Sequence, residues 1–84
     1  MDIVDGNAIA GTLFAVFGRE MTTATATCAS CAATRLVGEL HVYLRGPGPV
    51  VRCSRCENVL MVLVEARGVA CVGLRGLAAL QPAR

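Results

Sequence analysis

The chain has no lysine and no tryptophan, and only one tyrosine and two phenylalanines. Its basic charge rests on eight arginines. So few aromatics leave little for stacking on nucleic-acid bases. Charge of one sign is also scarce, with a formal balance of +2. That balance excludes a strong electrostatic footprint for nucleic acid. Long apolar runs are missing too. The longest, Val59 to Val64, falls far short of the roughly 20 residues that span a membrane. The opening, Met1-Asp2-Ile3-Val4-Asp5, is acidic where a secretory signal is basic. The expectation is a reducing, cytoplasmic setting and no membrane partner. Cysteine pairs in that setting hold metal rather than form disulfides. No phosphate-binding glycine loop and no nucleophile with a matching base stand out, so no enzyme is expected.

Five cysteines and 55% hydrophobic residues are present in 84 residues. The length implies a single domain, residues 1–84. Chains of this size bury a modest share of their surface and often need a staple. Four of the cysteines supply one. Cys28-Ala29-Ser30-Cys31 and Cys53-Ser54-Arg55-Cys56 are two C-x-x-C pairs with 21 residues between them. Four thiolates at such spacing suit one tetrahedral zinc ion, Zn2+, with knuckles at 28–31 and 53–56. Iron in a rubredoxin-like site is the chemical alternative. The aromatic shell of that family is missing here. A thioredoxin-type dithiol needs a βαβ context that is absent. Four thiolates and a divalent ion bring the formal +2 close to neutral. Arg35, Arg52 and Arg55 lie near the pairs in sequence and read as charge compensation, with a phosphate patch as the alternative. Cys71, in an apolar run, reads as a buried small hydrophobe. His41 reads as a solvated surface residue.

The pattern along the chain predicts small antiparallel hairpins and one short N-terminal helix. Asp5-Gly6-Asn7 is a turn and cap signal. Ile9, Leu13, Val16 and Phe17 then recur at helical spacing, giving a helix over about 7–17 that ends at Gly18. Thr22 to Thr27 favours a strand. Leu36 to Arg45 alternates as one half-buried strand, with Leu36, Gly38, Leu40, Val42 and Leu44 on one face. Gly46-Pro47-Gly48-Pro49 is a turn, and Val50-Val51-Arg52 leads into the second pair. A second hairpin spans about 59–75 around Arg67-Gly68, with Ala66 opposite Val69 and Val64 opposite Cys71. Both of its faces are apolar. Residues 76–80 add a short strand or a helical turn.

With Asp5-Gly6-Asn7, the two cysteine pairs and Leu74-Arg75-Gly76, the chain resembles an uncharacterised actinobacterial family of short zinc-ribbon proteins. The resemblance covers nearly the whole chain. It implies zinc at Cys28, Cys31, Cys53 and Cys56 and a bacterial, cytoplasmic setting, and it carries no activity. The arginine-only basic set fits a GC-rich genome. Many zinc ribbons have Gly after each pair, where positive φ is useful; Ala32 and Glu57 stand there instead.

Three functions are to be weighed. The first is a zinc-stabilised protein interaction module, able to self-associate through apolar surface. The second is a nucleic-acid-binding ribbon, with Arg35, Arg45, Arg52 and Arg55 along one edge and Tyr43 stacking on a base. The third is a redox or metal-handling role through Cys71 or a labile ion.

Overall fold

A computed structural model describes residues 3–44, 48–67 and 69–83. Among them, eight strands form two antiparallel sheets, preceded by one short helix. The larger sheet has β1 (Ile3–Asp5), β4 (His41–Tyr43), β5 (Val50–Arg52), β6 (Val59–Ala66) and β7 (Val69–Gly73), side by side in that order. The smaller has β2 (Thr25–Cys28) between β3 (Thr34–Leu36) and β8 (Leu77–Gln81). This is the fold class the sequence predicts. No helix among the described residues is long and apolar enough to cross a membrane.

The N-terminal helix begins as a 3-10 turn at Gly6–Ile9 and continues as α1 (Ala10–Phe17). Asp5 Oδ1 accepts from the Ala8 amide at 3.3 Å, satisfying one of the free first-turn donors. Gly18 ends α1 at φ +73°, its amide donating to Phe14 O. Ile9 and Leu13 join the buried cluster, while Phe14 is exposed. The core of the larger sheet is a row of cross-strand neighbours: Val4, Val42, Val51 and Met61, with Leu63 beside Val72.

The predicted strand over Leu36 to Arg45 is two strands instead. Val37–Glu39 is a 3-10 turn, and the chain changes sheet there. The cause is backbone pairing that alternation cannot reveal. The Val37 amide donates to Ala24 O and the Gly38 amide to Thr22 O, both at 2.9 Å. The Glu39 carboxylate accepts from the Leu36 amide. Gly6 packs so tightly on this turn that a Cβ on it would lie 1.9 Å from Val37 O. Consequently Val37 is buried, whereas Leu36 and Leu44 are exposed. Of the proline turn that follows, residues 46 and 47 lie outside the described residues.

The last hairpin has the predicted register, with Ala66 opposite Val69 and Val64 opposite Cys71. Arg67 takes φ +52° in its loop. The alternation of β6 breaks at Leu60. A β-bulge leaves it unopposed between the Val51–Met61 and Arg52–Val59 pairs, and it is buried, while Val62 and Val64 are half-buried. Residues 77–81 form a full strand, and Ile3–Asp5 forms another.

Candidate metal centre

Each cysteine pair sits in the loop between two neighbouring strands. Cys28 ends β2 and its loop leads to β3; Cys53 follows β5 and its loop leads to β6. One loop therefore belongs to the smaller sheet and the other to the larger. The loops share one hydrogen-bond pattern. In the first, the Cys28 amide donates to Ala33 O (2.9 Å), the Ala32 amide to Cys28 O (3.0 Å) and the Ser30 amide to Cys28 Sγ (3.3 Å). In the second, the Cys53 amide donates to Asn58 O (2.9 Å), the Glu57 amide to Cys53 O (3.0 Å) and the Arg55 amide to Cys53 Sγ (3.4 Å). The turn brings both sulfurs of a pair to one side and aims backbone donors at the first. Each sheet also carries a β-bulge beside its loop, at Thr27/Cys28 and at Val51/Arg52.

The four sulfurs converge. Cys28 Sγ lies 3.6 Å from Cys56 Sγ, and Cys31 Sγ lies 3.7 Å from Cys53 Sγ. All four lie within 4.8 Å of one another. A tetrahedron with metal–sulfur bonds of about 2.3 Å has edges of about 3.8 Å, so the group fits one metal ion. It is far too open for disulfides, whose bond is about 2.05 Å. Cys28 and Cys53 are buried, Cys31 is half-buried and Cys56 is exposed. The predicted residues are thus brought together, two from each sheet.

The loops also prepare charge. The Cys31 amide and then the Ser30 amide, donating to sulfur, bring the Cys28 thiol down to about 6 against its burial. Burial pushes Cys53 up, but the amides of Cys56 and Arg55 outweigh it and its thiol is lowered. At Cys56 the Asn58 amide acts downward, yet desolvation and the neighbouring sulfurs win, and the thiol is pushed up to about 11. Three sulfurs crowding a fourth resist a further negative charge, and a divalent cation removes that resistance.

The residues after the pairs take the conformation usually reserved for glycine. Ala32 has φ +62° and Glu57 has φ +63°. Glu57 is held there by contacts no spacing rule indicated. Its Oε1 accepts from the Tyr43 hydroxyl and its Oε2 meets His41 Nδ1, both at 2.5 Å. Arg52 donates to Glu57 O at 3.0 Å, and its guanidinium lies 5.2 Å from the centre of the Tyr43 ring. The Tyr43 hydroxyl and then His41 hold the Glu57 carboxyl below its ordinary range, and the carboxylate raises the Tyr43 phenol. His41 is therefore a surface residue, its side chain 42% exposed, that is also bonded through Nδ1. The one available signal was that His41 and Tyr43, two apart on a strand, share a face.

The whole length, residues 1–84, matches a family of unknown function, DUF6510. The chain belongs to that family. No curated protein and no solved structure matches it. In this DUF6510 chain the glycines of the two terminal motifs have steric roles. Gly6 packs on Val37 O, as above. A Cβ on Gly76 would lie 1.8 Å from Val59 O, and Gly76 O accepts from the Ala29 amide at 2.9 Å. Gly76 thus touches the flank of each cysteine loop where the chain crosses from β7 to β8. The arginines near the site divide. Arg52 is engaged with Glu57 and Tyr43, Arg35 donates to its neighbour Thr34 O, and Arg55 is exposed. Arg45 lies outside the described residues. Cys71 is exposed, not buried as its apolar surroundings in sequence suggest, because its strand lies at a sheet edge.

Proposed function

We propose that Cys28, Cys31, Cys53 and Cys56 hold one zinc ion that staples the two sheets of this DUF6510 protein. The stapled body acts as a protein interaction module of the bacterial cytoplasm and has no catalytic role. The observation that carries this is the origin of the sulfurs: two from each sheet, all within 4.8 Å. Four protein ligands fill a tetrahedral zinc, so no position stays open for substrate or activated water. Zinc is favoured over iron by the chain's poverty in aromatics around the sulfurs. An interaction role is favoured by the large apolar residues left at the surface, among them Ile3, Phe14, Val69 and Leu74. A nucleic-acid role is less supported, because the only tyrosine already carries Arg52 over its ring.

Elemental analysis of protein purified under reducing conditions tests the staple. One zinc per chain, a shell of four sulfurs by X-ray absorption, and loss of structure on chelation are expected. A fully folded metal-free chain would refute it. So would a zinc shell with a bound water.

A further inference from the structure

Four strand edges bound the two sheets: β1 and β7 in the larger, β3 and β8 in the smaller. An open edge offers unpaired amides and carbonyls to any other strand, and proteins normally blunt it. Three of the four are blunted here. β1 has three residues and ends on Asp5. β3 has three residues with Arg35 at its centre. β8 carries a bulge against β2 and is followed by Pro82. β7 has no such device. It is Val69-Ala70-Cys71-Val72-Gly73, in unbroken register with β6, with no charge, no proline and no bulge.

We propose that β7 is the self-association edge of this protein and pairs antiparallel with β7 of a second copy, Cys71 lying on the two-fold axis. This deepens the interaction-module reading and rests on it. The register follows from the hairpin. Ala66 and Val69 flank a two-residue loop, so they exchange backbone hydrogen bonds. Alternation then turns the backbone groups of Val69, Cys71 and Gly73 toward β6, and those of Ala70 and Val72 outward. A two-fold pairing can match Ala70 with Ala70, Val72 with Val72, or Ala70 with Val72 of the other copy. Only the last satisfies every outward group of both strands within the strands themselves.

That register is also complementary in side chains. It sets Val69 opposite Gly73 of the second copy. Val69 is 61% exposed, more than any other large apolar residue described. Gly73 is the residue with room to receive it, since a Cβ placed there meets nothing within 4 Å. A glycine within a strand weakens it and commonly marks close approach by another chain. The strand's best complement is therefore itself, which selects a second copy over an unrelated strand. Cys71 faces Cys71 as a non-hydrogen-bonded pair, with Cα atoms about 4.5 Å apart.

Sedimentation equilibrium of the full-length, zinc-loaded, reduced chain reads the proposal. A dimer is expected, and Val69→Lys and Gly73→Val should each weaken it by about tenfold or more. Gly73→Val fills open space in the monomer and should keep its circular dichroism. A short bismaleimide should link Cys71 to Cys71, the other four thiols being held by zinc. A strict monomer at every concentration would overturn the proposal, as would a dimer indifferent to both substitutions or one that Cys71 does not bridge. Zinc content and circular dichroism of the same samples separate the two readings. A monomer with full zinc and an intact fold refutes β7 pairing alone, whereas a chain that folds without zinc refutes the staple.

Discussion

Two residues beside the sulfurs share one strained backbone conformation, and their side chains differ in what they return for it. An L-residue in the left-handed region costs roughly 1–2 kcal/mol. Ala32, at φ +62° and exposed, makes no side-chain bond that offsets this. Ala32→Gly should therefore stabilise the protein by about 0.5–1 kcal/mol, after the added freedom of the unfolded chain is subtracted. Glu57→Gly relieves the same strain but frees Tyr43 and His41 from their shared carboxylate. It should gain nothing and lower the thermal midpoint. If both glycine variants gain equally, the Glu57 contacts have no structural weight. The phenol reports on the same contacts. Tyr43 is the only tyrosine, so phenolate absorbance reads it alone. Its hydrogen bond to Glu57 and the nearby negative charge favour the neutral phenol and raise its pKa. The associated stability is present below the unfolded value of about 10 and is lost as pH climbs through the folded one. The midpoint should lie above 10 in the native protein and fall back toward it in Glu57→Gln.

At the scale of elements, the crossing between sheets at Gly76 matters more than any single strand. Both atoms nearest a Cβ there, Val59 O at 1.8 Å and Val59 C at 2.7 Å, are backbone and cannot swing aside. Gly76→Ala should push the crossing off β6, lengthen the Ala29 amide bond and cost about 2 kcal/mol or more. If the proposed zinc is bound, its release to a colorimetric chelator should quicken with it. Gly11→Ala in α1 is the control. Nothing lies within 4 Å of its Cβ position, and the helix should gain about 0.5–1 kcal/mol. Equal denaturant midpoints for the two would remove Gly76 from the argument. The sequence made legible whatever is local. The cysteine loops, the Gly18 cap and the Ala66–Val69 register each depend on residues a few positions apart. What it hid is nonlocal. β1 exists because β4 lies beside it. The break at Val37–Glu39 exists because Thr22 and Ala24 offer carbonyls to it. The Glu57 cluster joins residues 14 and 16 positions apart. Alternating hydrophobicity ran unbroken across the Val37 turn, so period alone could not find the change of sheet.

The molecule as a whole is two unequal sheets with four cysteines that could hold a metal ion at their joint. The larger has five strands and holds the inner row of Val4, Val42, Val51 and Met61. The smaller has three strands of three to five residues, a size with little stability of its own. Its links to the larger sheet include the paired sulfurs, the Gly76 crossing, the turn at Val37 and a shared buried cluster to which Ala26, Leu77 and Leu80 contribute. Metal binding of on the order of 10 kcal/mol exceeds what a few backbone hydrogen bonds supply. Removing the ion should then release the sheets unequally. Hydrogen exchange after chelation at neutral pH should show β2, β3 and β8 losing protection together and first. The central strands β5 and β6 should keep more of theirs. Loss of all eight strands at one rate would mean that the ion supports the entire core rather than the joint. Retention of β2 and β8 would mean that the smaller sheet needs no metal to stay in place.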